Sequence, residues 1–190
     1  MRRTSLWIAI LGLLMMSAAA SGQTAFADHG PEVQRLRYFL GNWKVEKALN
    51  REKYGVSTAK GTARGEALGG AFIVITAEED NPVGHMKHVS IYGYDPAKKV
   101  FVHNVFTDSG HHAMLYGKVE GKTWTWTSLD KSEINKKWVY QRFTLIELSP
   151  TSFSYVLDFS EDGKQWTNVM ECKATKLKDD GDSGSANPGR

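Results

Sequence analysis

The chain has 190 residues, of which 41% are hydrophobic and 24% charged, and a formal net charge of +3. That length fits one domain with a sizeable core. The weak charge excludes a strongly basic nucleic-acid surface, and a single cysteine, Cys172, excludes an internal disulfide.

The chain opens with Arg2 and Arg3, followed by an apolar run from Leu6 to Met16 and small residues that include Ala18–Ala20 and Ala25-Phe26-Ala27. This is the pattern of a secretory signal peptide: the apolar run is too short for a comfortable membrane span, and no stop-transfer segment follows. Residues 1–27 are therefore expected to be removed, with Ala20 as a second cleavage position. Loss of Arg2 and Arg3 takes the formal charge from +3 to +1. The protein is expected to be periplasmic or secreted, with no integral membrane segment in its mature form and no nucleic-acid partner. The oligomeric state is left open.

Pro31 to Leu40 carries Val33, Leu36, Phe39 and Leu40 on one helical face, with Pro31 tolerated in the first turn. From Gly41 onward the period is two. Ten strands are predicted, over 42–50, 56–68, 71–79, 86–94, 98–106, 110–118, 122–129, 136–148, 151–160 and 164–175. Turn residues separate them, including Gly69-Gly70, Asp95-Pro96, Asp108-Ser109-Gly110, Glu120-Gly121, Ser149-Pro150 and Asp162-Gly163. A long antiparallel meander protects its edges by closing, so the expected fold is all-β: an up-and-down barrel of about ten strands with a short N-terminal capping helix. The barrel domain is expected over 28–175, and the Gly-, Ser-, Asp- and Lys-rich stretch 176–190 is expected to be a disordered tail.

Turn positions also sort the faces. Taking Ser149-Pro150 and Asp162-Gly163 as two-residue turns directs Trp138, Tyr140, Arg142, Thr144 and Ile146 inward. Phe153, Tyr155, Leu157 and Phe159 follow on the same face, with Trp166, Met170 and Cys172. Gln141, Glu147 and Asp158 then face water. In the middle strands the turn at Glu120-Gly121 pairs Leu115 with Trp126 and Gly117 with Trp124. Val89, Ile91, Val100, Val102 and Phe106 are expected on that same inner wall.

Several motifs together resemble a known group. Leu40-Gly41-Asn42-Trp43 is similar to the barrel-opening Gly-x-Trp of lipocalins and fatty-acid-binding proteins. It is followed by Gly69-Gly70-Ala71-Phe72, Gly93-Tyr94-Asp95-Pro96, Asp108 with Gly117, and Ser160-Glu161-Asp162-Gly163-Lys164-Gln165-Trp166. This ordered set, spanning roughly Pro31 to Thr175, resembles the exported bacterial domain of unknown function 1579 family, placed among lipocalin-like (calycin) β-barrels. The resemblance implies a barrel, export and a small apolar ligand; it implies no reaction.

Arg142 is the full charge on the expected inner face, where a ligand carboxylate would pair with it in two-pronged fashion. Tyr140, two residues away, would add a hydrogen bond. Fatty-acid-binding proteins use a similar pair in the order Arg-x-Tyr, which is reversed here. The structural alternative stacks Arg142 on an aromatic such as Trp43, or pairs it with a carboxylate inside the barrel. Trp124, Trp126, Trp138, Tyr155 and Trp166 would line the ligand's body or fill the core. Gly41 and Trp43 are assigned structural roles, with Trp43 sealing the closed end.

No residue pattern calls for a resident cofactor. His85-x-x-His88 and His111-His112 point to opposite faces of a strand and do not chelate there. His88, His103 and His112 are the candidates for a shared face, and with it for metal or haem binding. Glu78, Glu79 and Asp80 read as a solvated strand end, and Cys172 as a buried, inert thiol. The leading functional expectation is carriage of a small hydrophobic molecule. The alternatives are an isomerase or hydrolase with a His or Tyr acid–base, a structural or envelope-interaction module, and haem or metal binding.

Overall fold

The computed structural model describes residues 30–49, 58–81, 84–134 and 136–178. The signal-peptide reading of 1–27 lies outside them, as does the tail beyond 178. The helical segment is α1 (Pro31–Arg35) followed by a 3-10 turn, Leu36–Phe39. Strands β1 (Gly41–Leu49), β2 (Thr58–Leu68), β3 (Phe72–Asn81), β4 (Gly84–Asp95), β5 (Val100–Thr107) and β6 (His112–Glu120) follow. They continue with β7 (Thr123–Ser128), β8 (Ser132–Ile134), β9 (Lys137–Ser149), β10 (Ser152–Ser160) and β11 (Thr167–Lys176). All pairings are antiparallel.

The sheet runs β10-β11-β1-β2-β3-β4-β5-β6-β7-β9, and β10 pairs back onto β9 to close a ten-stranded barrel. Short β8 sits outside the ring as an added partner of β9. The sequence reading is met in fold class, strand count and most strand limits; β8 is an addition, and β11 continues through Lys176.

One end of the barrel is plugged. Tyr38 donates its hydroxyl to the carbonyls of Ser149 and Ser152, and Arg35 reaches Gly121 O and Glu147, all at the ends of β6, β9 and β10. Phe39 descends between Tyr92, Trp124 and Phe153, with ring centroids 5.0, 5.1 and 6.2 Å away. The 3-10 turn seats against β2 because position 65 is glycine: a Cβ there would lie 2.0 Å from Phe39 O. Gly41 begins β1 at φ +95, a backbone conformation that favours glycine. Trp43 is 2% exposed, donates to Phe39 O at 3.2 Å and packs on Phe153. The cation stacked on it is Lys176, not Arg142.

Three strands face the other way from expectation. In β9 the buried or lumen-lining positions are Val139, Gln141, Phe143 and Leu145, while Trp138, Tyr140, Arg142, Thr144 and Ile146 form the outer series. The cause is a bulge. Ser152 pairs with Ser149 but Phe153 pairs with Glu147, so Leu148 is an extra residue and the faces of β9 are exchanged. In β4 and β5, His88, Ser90 and Tyr92 with His103 and Val105 line the lumen, placing Val89, Ile91, Val100, Val102 and Phe106 on the outer series. The connection there is four residues, Asp95 pairing with Val100 and Lys99 taking φ 56. Around Gly121 the inward residues are as expected, but the register differs by two: Gly117 opposes Trp126, and Val119 opposes Trp124.

Candidate lumen binding site

Above the plug the barrel holds a cavity of about 260 Å³, open toward the end carrying the β5–β6, β7–β9 and β10–β11 connections. Its floor and walls are Trp126, Phe143, Phe153 and Tyr155, with Ile75 and Val105. Trp126 fits because its partner is Gly117, where a Cβ would lie 2.5 Å from the indole.

The polar groups in the cavity come from residues at period-two positions on inward faces. Lys47 continues the Trp43-Val45 face of β1, and Glu79 continues the Ile73-Ile75-Ala77 face of β3. Between them β2 presents only Ala59 and Gly61, the cross-strand partners of Lys47 and Glu79, so the two long side chains meet above it. Lys47 Nζ lies 2.5 Å from Glu79 Oε1, with side-chain exposures of 7% and 2%. His88 Nδ1 is 3.7 Å from the same oxygen. Glu79 is thus no part of a solvated acidic end. Glu78 and Asp80 are exposed, whereas Glu79 is enclosed.

His103 lies deeper, stacked on Tyr92 at 4.1 Å, with Nε2 3.3 Å from Ser90 Oγ. Burial brings its pKa down to about 3, with the neighbouring His88 a smaller contribution. Burial lowers His88 as well, with Lys47 the next cause. Burial raises the Tyr92 and Tyr155 hydroxyls, and pushes the Cys172 thiol up to about 11. At neutral pH these groups are uncharged. Among the described residues, the buried side-chain polar atoms without a hydrogen-bond partner are Glu79 Oε2, His103 Nδ1 and Trp126 Nε1, whereas Glu79 Oε1 is held by the Lys47 ammonium. All three residues line the cavity.

A histidine whose folded pKa lies below its free value of about 6.5 contributes stability above that pH. The contribution is lost as pH falls toward 3, because the unfolded chain binds the proton first. Unfolding free energy is therefore expected to decline from pH 6.5 downward, by up to about 1.4 kcal/mol per pH unit from His103. Urea midpoints measured across that window should show a shallower slope in His103→Gln.

The structure brings together some of the residues singled out by sequence and separates others. Tyr155, Trp126, His88 and His103 line the lumen, as does Trp43 beside the plug. Trp124 lies within the plug, stacked on Trp126 and donating to Glu147 Oε1 at 2.7 Å. Glu147, expected toward water, is its partly buried acceptor. Arg142 is on the outer wall, where it pairs with Asp158 at 2.9 Å and stacks over Trp166 at 4.3 Å. Tyr140 is beside it in the outer series, under Lys131, and Trp138 is 60% exposed near the open rim. The expected Arg142–Tyr140 anchor therefore does not face the lumen. Arg142→Ala is expected to leave lumen binding unchanged and to cost at most about 1 kcal/mol, read by ligand titration and denaturant unfolding of the same sample.

The three-histidine face is not assembled. His112 is exposed and stacks with Phe106 outside, while its neighbour His111 lines the mouth and contacts Gln141. Among the described residues no group of three or more His, Cys, Asp or Glu side chains is placed to hold a metal ion. Lys47, Glu79 and Gln141 were missed. The available signal was the extension of the Trp43 face to Lys47, a charge two positions beyond Val45.

These features define a lipocalin-like barrel with an enclosed, open-ended lumen. The chain belongs to the family described as Protein of unknown function (DUF1579), which matches residues 28–176. No curated protein matches it in sequence. Among solved structures it is similar to Rv2717c from M. tuberculosis, with TM-score 0.60 and 14% identity over 80% of this chain and 100% of that one. It is also similar to a de novo designed fluorescence-activating β-barrel, with TM-score 0.44 and 13% identity over 75% and 96% of the two chains. A third, a designed barrel bound to DFHBI, gives TM-score 0.43 and 10% identity over 76% and 98%. At 14% identity the likeness to Rv2717c concerns the fold. Among the described residues no helix is long and apolar enough to cross a membrane.

Proposed function

We propose that this protein is an exported carrier that binds a small, largely apolar molecule in the barrel lumen. The observation behind this reading is the cavity itself. It is closed below by an aromatic plug and open above, and its walls are mostly apolar with a few converging polar groups, as in small-molecule sites generally. Its volume of about 260 Å³ lies near the lower end for such sites, which run from about 300 Å³ upward, so the ligand is smaller than a drug-sized compound. Export rests on the Arg2-Arg3 start, the Leu6–Met16 run and the Ala-x-Ala sites.

The test is direct titration of the mature protein with short-chain amphiphiles, following indole fluorescence from Trp126. Ala77, buried and lining the cavity, supplies the control. Ala77→Phe is expected to fill the lumen and abolish the response while the protein remains folded by circular dichroism. Equal binding in this variant would move the site elsewhere. Acid–base catalysis is less well supported, because a histidine with a pKa near 3 is a weak proton acceptor at neutral pH.

A further inference from the structure

We infer that the lumen selects an uncharged amphiphile whose head group both donates and accepts hydrogen bonds, such as a primary alcohol or primary amide, over a fatty acid or an amine. This rests on the lumen being the binding site. Among the described residues, Lys47 and Glu79 are the two charged ones lining the cavity, one of each sign, and they are paired with each other. The groups around them are neutral. His88 and His103 are held unprotonated by burial, and the Cys172 thiol and the Tyr155 hydroxyl beside it stay protonated. The head-group region therefore has no net charge to offer.

A ligand carboxylate would be drawn to Lys47 and repelled by Glu79 at almost the same distance; an ammonium would meet the reverse. Either would add an unbalanced charge to an enclosed site, where desolvation is costly. A neutral O–H or N–H group meets neither objection. Glu79 Oε2 is buried and without a hydrogen-bond donor, so it accepts a hydrogen bond from the ligand's O–H or N–H. Lys47 has three donor positions and one close carboxylate oxygen, so it supplies a hydrogen bond to the ligand's oxygen. The alkyl chain then lies toward Trp126, Phe143 and Phe153. A carboxylate-binding barrel would instead present an uncompensated cation inside; the arginine expected in that role is paired with Asp158 on the outer wall.

The experiment compares four eight-carbon-scale probes at pH 7.5: 1-octanol, octanamide, octanoate and the methyl ether of 1-heptanol. In the wild-type protein the alcohol and amide are expected to bind at least about tenfold more tightly than octanoate, since like-charge juxtaposition is costly, and more tightly than the ether, which lacks the proton for Glu79. Glu79→Gln leaves Lys47 as the lumen's charge, and octanoate should then gain at least about tenfold relative to octanol. The double variant Lys47→Met/Glu79→Leu removes the pair without leaving a lone charge, so it keeps a folded comparison available; in it the preference for alcohol over ether should vanish. Octanoate binding the wild type as tightly as octanol, or alcohol and ether binding equally, would overturn the inference while leaving the carrier reading intact. Absence of binding by every probe would overturn both.

Discussion

Replacing Lys47 with methionine is expected to lower the unfolding free energy by about 3–5 kcal/mol, because it strands the Glu79 carboxylate inside the barrel. The side chain of Glu79 is 2% exposed, and its close cation comes from Lys47 two strands away. His88, 3.7 Å away, is held neutral first by burial and then by Lys47, and the substitution removes only the second of these causes. Replacing both members with Met and Leu should restore most of the loss, since apolar residues of similar volume need no desolvation to be offset. Denaturant unfolding of the two single variants and the double variant gives the coupling directly. A single variant as stable as wild type would show that water already reaches the carboxylate.

Removing the Trp124 side chain should have an effect of similar size, for a different reason. Trp124→Ala is expected to cost about 3–5 kcal/mol, through lost burial and the void left behind, with a fall in melting temperature of roughly 10 °C. Trp124 is fully buried and stacked on Trp126 at 5.4 Å, with Phe39 and Phe101 each at 5.1 Å. It also anchors the plug: its indole and Arg35 share Glu147 Oε1, and Arg35 lies 5.5 Å over the ring. Because Trp124 is outside the cavity lining, ligand affinity measured well below the melting temperature should change far less than stability. Trp126, in contact with the lumen, should lose both.

The barrel was legible because its signals are local. Turn residues such as Gly69-Gly70, Gly121 and Gly163 adopt the positive φ that makes glycine the favoured residue there. Between them the period of two marks strand after strand. The site was less legible, because it depends on which face of each strand turns inward. In β1, β10 and most of β11 the hydrophobic face and the inner face coincide, so Trp43, Tyr155, Met170 and Cys172 were placed correctly. In β4 and β5 they do not, and in β9 the bulge at Leu148 exchanges the faces that the turn position assigns. The lumen takes His88, Ser90, His103 and Gln141, while Ile91, Val102, Phe106 and Ile146 belong to the outer series. Sorting by hydrophobicity fails for walls that line a partly polar cavity, because the inner surface need not be the more apolar one.

The sequence by itself determined an all-β meander, its closure into a barrel, the helical plug and the family, since these follow from periodicity, turn chemistry and motif order along the chain. Only the tertiary structure decided which residues share the lumen. A single extra residue, Leu148, exchanges the faces of β9 and carries Arg142 from the expected inner wall to Asp158 outside. Small residues on β2 let Lys47 and Glu79 meet from strands that are not neighbours. Side-chain direction along a strand has a period of exactly two residues, so a local irregularity of one residue is enough to replace one candidate site with another.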